Sequence, residues 1–362
     1  MRIQFLSRVA AAVCPCVLLG LALSGVSCRI TEDSVQQVEG DMIAPELIAV
    51  SQLNETQLRL SFSEDVGVSA ANVYADGVLF CTGTAAGSGT EAAALSAEPV
   101  ITLDAAPAVG VQYVLTGTAA DKKGNSLLFT IPFSGYNGRV PALVLSEIRS
   151  EYSSGKSEFI ELYVLSPGNL AGVTVYSAND DKYGAYEFPA ADVAAGEYVT
   201  LHYRLSADDA AACVDETGAD LNASASKESC GDSRDFWIRD SVARIGKSDV
   251  VLLRDRAGGK LLDALPYSES SKTAWKTDAL RAAAQEAADA GVWPAGGDDF
   301  SESFCSDGVT ATRTLSRRNV AVLDAAAESG TGFPPSDKTS WIVTATGGAT
   351  PGMPNSEKEY SK

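Results

Sequence analysis

Histidine is nearly absent from the sequence: His202 is the only one among 362 residues. One histidine cannot build the two-histidine HExxH zinc site of metalloproteases, and a serine–histidine hydrolase would have to use His202. The chain also lacks the GxSxG, GxxxxGK[ST] and GxGxxG motifs. Since His202 lies in YVTLHYR, an apparent strand where a histidine more often fills core or surface, the sequence predicts a protein that is not an enzyme.

Basic residues are scarce as well. The chain has 28 lysines and arginines against 47 aspartates and glutamates, with a formal net charge of −19. A surface this acidic repels polyphosphates and anionic headgroups, so no nucleic-acid partner is expected. Arginines such as Arg244, Arg317 and Arg318 are expected to pair with local carboxylates rather than form an anion site.

Long apolar runs are confined to the N-terminus. Residues 1–27 combine Arg2 and Arg8 with an apolar stretch and small residues, the pattern of an export signal. The stretch is shorter than the ~20 residues that cross a bilayer. It ends in SGVSC, which resembles the lipobox of bacterial lipoproteins, although Gly25 stands where Leu is usual. The alternative is ordinary secretory cleavage nearby.

The lipobox resemblance implies that Cys28 is lipidated and becomes the new N-terminus. Its acyl chains would hold the protein on a membrane surface, with residues 28–40 as a polar tether. We therefore expect an exported protein in the cell envelope, lipid-anchored to a bacterial membrane such as the outer membrane.

Cysteines are few and none forms a CxxC pair, so neither zinc nor another metal is expected. Because export implies an oxidising compartment, Cys213 and Cys230 are predicted to form a disulfide across a polar segment with little apolar material. The pairing of Cys81 and Cys305 stays open.

The first globular region, residues 41–138, has the alternation of antiparallel strands. Leu58, Leu60 and Phe62 alternate with polar neighbours, and Asp121–Asn125 is predicted as a turn rather than a calcium loop. The stretches APELIAVS, TQLRLSFSEDV and YVLTGTAADKKGNSL resemble the bacterial Ig-like domain of the SbsA type, a β-sandwich of surface proteins.

A second all-β region follows, and it carries two strand glutamates. Glu147 and Glu161 lie on consecutive predicted strands and could face each other, whereas Glu158 and Glu161 point to opposite faces. A facing pair could act in a hydrolase. We favour the alternative, in which each glutamate accepts hydrogen bonds and fixes the strand pairing.

Five motifs of this region fall in the order of the bacterial lamin-tail domain, which the chain resembles over residues 141–355. They are LVLSEIRSEYSSGKSEFIELYVLSPGNLAGVTVYS, AAGEYVTLHY, KSDVVLLRDRAGGKLLDALPY, TRTLSRRN and SWIVTATGGATPGMPN. The resemblance implies architectural roles for Glu147, Glu161, Gly172, Pro351, Gly352 and Asn355. Residues 356–362 are a polar tail.

Two insertions interrupt the lamin-tail pattern, at about 206–244 and 268–309. The second contains TDALRAAAQEAADAG, predicted as a helix with Thr277 as its N-cap. Trp275 and Trp293 near its ends either pin the helix against the sandwich or form an aromatic ligand platform.

Together these features predict an all-β protein of two tandem Ig-like β-sandwich domains, the second with a helical insertion. We expect a non-catalytic envelope or surface module for interaction or adhesion, without cofactors, bound to the membrane through its lipid and to an unidentified protein or glycan. One alternative is a carbohydrate-binding protein that uses Trp275 and Trp293. The other is a secreted hydrolase that uses Glu147 and Glu161.

Overall fold

The computed structural model describes residues 41–85, 95–320, 322–324 and 335–361. The predicted export signal, Cys28 and the tether lie outside these residues. In the described part of the chain, no helix is long and apolar enough to cross a membrane. Most of the ordered elements are strands, which confirms the all-β fold class.

The first region forms one antiparallel sheet of seven strands in the order β1-β2-β5-β4-β3-β6-β7. The strands are β1 (Leu47–Asn54), β2 (Gln57–Phe62), β3 (Gly67–Ala75), β4 (Val78–Ala85), β5 (Val100–Leu103), β6 (Gln112–Ala120) and β7 (Ser126–Ser134).

This sheet curls around its own core. Leu58, Leu60 and Phe62 are buried in alternation with more exposed neighbours, as the sequence predicts. Although β2 and β7 are far apart in the strand order, the rings of Phe62 and Phe129 lie 6.2 Å apart. Gln52 of β1 donates to the Ser134 carbonyl of β7 at 2.7 Å. The two edges of the sheet therefore meet, and its apolar face encloses one core.

The predicted turn after β6 is formed. Asp121 Oδ1 accepts the backbone N–H groups of Lys123 and Asn125, and Gly124 adopts a φ of +92° that suits glycine. Carboxylate oxygens of Asp41, Glu64 and Asp121 lie within 4.8 Å of one another. The Asp121 oxygens already serve the turn as acceptors.

Asn137 joins the two regions. Its buried side chain donates to the carbonyls of Asn169 and Ala171 at 2.6 and 2.9 Å, and its Oδ1 accepts from Arg139 N. The linking segment is thereby fixed to the second region.

The second region contains sheets of five, six and two strands, ordered β12-β11-β16-β17-β18, β15-β14-β9-β8-β19-β20 and β10-β13. The strands are β8 (Leu143–Arg149), β9 (Glu158–Val164), β10 (Gly168–Asn169), β11 (Thr174–Ser177), β12 (Tyr186–Glu187), β13 (Asp192–Val193), β14 (Tyr198–Tyr203), β15 (Arg234–Trp237), β16 (Asp249–Arg254), β17 (Leu261–Ser268), β18 (Phe304–Cys305), β19 (Leu315–Arg317) and β20 (Trp341–Val343). The helices are α1 (Ala207–Ala212) and α2 (Asp278–Asp289).

The five- and six-stranded sheets share one apolar core. Ile160, Leu162 and Val164 of β9 point into it, as predicted. The opposite face of β9 is buried too, because every residue from Glu158 to Val164 is covered. That second, polar face holds the candidate sites described below.

The two insertions extend the sheets. β15, within the first insertion, pairs in parallel with β14, and β18, within the second, pairs in parallel with β17. Helix α2 begins after its predicted N-cap Thr277, whose side chain accepts from Leu280 N, and buries the face formed by Leu280, Ala283, Ala284 and Ala287.

Candidate functional site

Glu147 and Glu161 form a carboxyl pair on the covered face of the six-stranded sheet. They are direct partners across β8 and β9, and both side chains are fully buried. Glu147 accepts hydrogen bonds from the Thr314 hydroxyl and from the backbone and hydroxyl of Thr350. Glu161 accepts from Gly352 N at 2.6 Å. The predicted juxtaposition is present, and residues after β20 cover it.

Burial controls the protonation of this carboxyl pair. Desolvation raises the pKa of Glu147 to about 7, since a buried carboxylate loses its hydration. Desolvation and the neighbouring charge of Glu147 raise the pKa of Glu161 well above its usual value. At neutral pH the pair therefore keeps at least one proton. This protonation resembles an acid–base dyad, but Thr350 and Gly352 occupy the positions where a substrate would have to approach.

The segment that covers the carboxyl pair, residues 350–355, is fixed by Asn355. Its Nδ2 donates to the carbonyls of Ser146 at 3.1 Å and Arg317 at 2.9 Å. The segment thus ties β8 to β19 while Pro351 and Gly352 lie over the glutamates. Tyr360 in the tail donates its N–H to Val343 O at 2.8 Å, so the chain beyond 355 also contacts β20.

Gly172 lies in a tight turn before β11. Its φ is +82°, a backbone conformation that favours glycine, and its N–H donates to Phe188 O at 3.0 Å. Gly172 contacts neither glutamate among the hydrogen bonds of the described residues.

His202 organises a second buried cluster on the same face, here called the histidine network: Arg149, Ser157, His202, Glu228 and Asp235. His202 Nδ1 lies 3.1 Å from Ser157 Oγ, and Nε2 lies 2.9 Å from Asp235 Oδ1. The imidazole stacks on Trp237 at 3.9 Å between ring centroids. Desolvation lowers the pKa of His202, so the ring is neutral, with its proton on Nε2 toward Asp235.

The connectivity of Ser157, His202 and Asp235 resembles that of a nucleophile, a base and an orienting carboxylate. Ser157 is only 4% exposed, however. Glu228 Oε2 accepts the N–H of Ser157 at 3.2 Å and lies 3.2 Å from its hydroxyl oxygen, and it also contacts the Arg149 guanidinium. Glu228 thus fills the space that a substrate carbonyl would need.

Asp235 of the network and two further acidic residues hold the first insertion and its strand β15 in place. Asp235 Oδ2 accepts Cys230 N at 2.9 Å, Glu216 Oε2 accepts Asp235 N at 2.8 Å, and Arg234 pairs with Glu197 at 2.9 Å. Buried hydrogen-bonded pairs of this kind fix geometry even where they add little net stability.

Cys213 and Cys230 are not joined to each other among the described residues, and their disulfide stays a prediction. Cys213 is buried in a small apolar cluster with Leu205 and Trp237. Cys230 Sγ instead faces the Gly352 carbonyl at 3.6 Å. The apolar cluster and the histidine network hold the insertion, the role the disulfide was expected to fill.

Of the two alternatives for Trp275 and Trp293, the structure favours helix pinning over a ligand platform. Trp293 is 1% exposed, and its Nε1 donates to Glu302 O at 3.1 Å. Trp275 is half-buried and packs edge-on to Phe300 at 4.7 Å. Both residues join the second insertion to the core, so the two rings do not form an open face for a ligand.

An aromatic pocket lies elsewhere, beside the turn of residues 178–185. This tyrosine pocket has a volume of about 240 Å³. It is lined by Val175, Ser177, Asp180, Tyr183, Gly184, Ala185, Tyr186, Tyr203, Ile238 and Arg244. A larger cleft of about 750 Å³ lies between the two regions, and its lining includes five glycines.

Comparison with known proteins places the second region in a family. Residues 141–343 match the family model described as "TP_1001_2nd: protein second domain". The chain belongs to the TP_1001 second-domain family. The matched range includes the histidine network, the tyrosine pocket and both glutamates of the carboxyl pair. It ends before Thr350, Gly352 and Asn355, which cover that pair.

One curated relative of this chain is an uncharacterized protein of Treponema pallidum (strain Nichols). It is 34% identical over 195 residues, which are 52% of this chain and 49% of the relative. The chain therefore spans about half the length of the curated relative that it matches.

Two solved structures show limited likeness to the chain. A DUF4876 family protein from Bacteroides thetaiotaomicron VPI-5482 matches with 10% identity and a TM-score of 0.27, over 78% of this chain and 89% of that protein. The N-terminal part of the bacterial S-layer protein SbsC matches with 15% identity and a TM-score of 0.23, over 40% and 38%.

Sequence reasoning missed the histidine network and the tyrosine pocket. Ser157, His202 and the Glu228–Asp235 stretch come from three separate segments and share no motif. A weak signal for the pocket exists in DDKYGAYEF, where Tyr183 and Tyr186 stand close to two aspartates.

Proposed function

We propose that this chain is an exported, lipid-anchored protein of the bacterial cell envelope that acts as a non-catalytic binding module. Its first region would be an SbsA-type Ig-like spacer and its second a lamin-tail domain, with the lipid at Cys28. The curled seven-stranded sheet and the two-layer second region are compatible with these assignments.

The proposal that the module is not catalytic rests on the burial of the carboxyl pair beneath residues 350–355. Both glutamates are 0% exposed, and their oxygens accept hydrogen bonds from Thr314, Thr350 and Gly352. A retaining glycosidase must bring its substrate between two carboxyl groups ~5–5.5 Å apart. Here the protein's own backbone lies at that position.

Labelling with an activity-based probe tests the absence of catalysis, because Ser157 contacts a histidine that an aspartate orients. We expect a fluorophosphonate probe to leave Ser157 unmodified in the native protein, at the level of a Ser157→Ala control. Labelling of Ser157 that His202→Ala abolishes would contradict the proposal and favour a hydrolase.

Intact mass of protein purified from its native membrane tests the anchor. We expect a diacyl or triacyl increment on a chain that begins at Cys28, absent from a Cys28→Ser variant. Protease treatment of whole cells would then report on surface display. An unlipidated chain that begins elsewhere would contradict the anchor and leave a soluble periplasmic module.

A further inference from the structure

The tyrosine pocket contains a hydroxyl group without a partner. Tyr203 is only 3% exposed, and its Oη makes no hydrogen bond within the described part of the chain. Tyr203 lines the pocket together with Tyr186, Arg244 and Asp180. The hydroxyl therefore lies at the pocket, buried and available to a ligand.

A second polar atom of the pocket has no hydrogen-bond donor. Asp180 is 9% exposed, and its Oδ2 lies 3.1 Å from Arg244 Nε. This contact is an ion pair without a hydrogen bond, and Oδ2 accepts no hydrogen bond from any other group of the described residues. Buried polar atoms are nearly always hydrogen-bonded in folded proteins. A ligand O–H group would supply the missing donor to Asp180.

The charges around the pocket favour a neutral ligand. Arg244 already binds Asp180 and makes two hydrogen bonds to Asp240, and its guanidinium lies over the Tyr183 ring at 4.6 Å. An anion would meet the Asp180 carboxylate, and a cation would meet the Arg244 guanidinium, since both groups line the pocket. A neutral ligand with hydroxyl groups avoids both repulsions.

The lining residues and the volume of the tyrosine pocket further limit the kind of ligand that it can bind. Val175, Ile238 and the tyrosine rings supply apolar surface beside the two polar atoms, the usual composition of a small-ligand site. A volume of about 240 Å³ is below the range of ~300–1,000 Å³ for drug-sized ligands. A single sugar ring has an apolar face, several O–H donors and a fitting size.

We propose that the tyrosine pocket binds a terminal neutral sugar of a glycan, with Tyr203 and Asp180 hydrogen-bonded to its hydroxyl groups. This proposal deepens the proposed binding function and rests on it. The sugar would be bound without bond cleavage. The site differs from the Trp275 and Trp293 platform that was one alternative reading of the sequence.

Calorimetric titration of the full mature chain tests the pocket. The probes are the methyl glycosides of mannose, glucose, galactose and N-acetylglucosamine, with glucuronic acid and glucosamine as charged comparisons. We expect at least one neutral glycoside to bind, and to bind more tightly than its charged counterparts. No binding of any neutral glycoside, or tighter binding of a charged one, would overturn the proposal.

Tyr203→Phe is the specific variant because it removes only the hydroxyl. A lost hydrogen bond predicts roughly tenfold weaker binding. Tyr198→Phe, on the same strand but outside the pocket lining, should bind as the unaltered chain does. Equal affinity of both variants would overturn the proposal.

Tyr183→Ala is a second variant at the rim, where the side chain is 47% exposed. It should fold even if Tyr203→Phe does not, and we expect it to weaken binding as well. Unchanged affinity in Tyr183→Ala would overturn the assignment. Lipidation at Cys28 together with no sugar binding would refute the pocket while leaving the proposed anchor intact.

Discussion

Single residues on the covered face carry unusual protonation, and the carboxyl pair is the clearest case. Burial raises the pKa of Glu147 from 4.5 to about 7, so the folded state holds its proton more tightly than the unfolded chain. The stabilising contribution is complete below pH 4.5 and is lost as the pH rises through about 7. The raised pKa of Glu161 likewise makes the fold less stable as the pH rises.

We therefore predict that the free energy of unfolding falls more steeply from pH 5 to pH 8 in the unaltered chain than in Glu147→Gln/Glu161→Gln. The difference should be at least on the order of 3 kcal/mol. Urea unfolding at four pH values in this range measures it. The exposed Glu98→Gln variant is the control, and parallel curves for all three proteins would contradict the prediction.

His202 offers a second test at this scale, because a lone histidine gives an unambiguous spectrum. Burial lowers its pKa, so the neutral ring should persist below pH 6.5, and acidification through the lowered pKa should destabilise the fold. We predict that ¹⁵N NMR shows a neutral ring protonated on Nε2 at pH 6.5 and a titration midpoint below that pH. A titration centred near pH 6.5 would show that the network is open to solvent.

At the scale of elements, the 350–355 segment seals one face of a sheet through backbone that only glycine fits. Gly352 has a φ of +77°, and a Cβ there would lie 2.1 Å from Ser233 Oγ and 2.6 Å from Cys230 Cβ. Gly347 has a similar φ of +82° but open space around the same position. The two glycines separate backbone strain from steric overlap.

Gly347→Ala should cost about 1 kcal/mol of unfolding free energy from the positive φ alone. Gly352→Ala should lower the free energy of unfolding by ~1–3 kcal/mol more than Gly347→Ala does. The added methyl group would force the 350–355 segment away from the first insertion. Chemical denaturation of both variants measures the difference. Equal losses would mean that the contact with Ser233 and Cys230 is loose.

Local patterns predict some elements well and others poorly. Helix α2 was predictable, because Thr277 and the stripe from Leu280 to Ala287 are neighbours in sequence. The parallel pairing of β15 with β14 was not, since residues 234–237 lie inside a polar insertion without strand alternation. Their pairing depends on the buried partners of Asp235 and Trp237.

At the scale of the whole molecule, the cysteines differ in how far the fold exposes them to solvent. Cys81 and Cys213 are buried, Cys230 is half-buried and Cys305 is exposed. We predict that native chain reacts with maleimide first at the exposed Cys305 and more slowly at the buried Cys81. Equal reaction rates at Cys305 and Cys81 would contradict the burial of Cys81, and a cross-linked Cys213–Cys230 peptide in a non-reduced digest would support the disulfide that the sequence predicts.

The sequence by itself determined the acidic balance, the β-strand alternation, the facing positions of Glu147 and Glu161, and helix α2. These features depend on composition or on residues close together in the chain. The export signal and the lipid at Cys28 are sequence predictions for the mass measurement to test. Only the tertiary structure decided that the glutamates are closed off, since Thr350 lies 203 residues from Glu147. It likewise assembled the histidine network and the tyrosine pocket, because hydrogen bonds and burial between distant segments leave no local pattern.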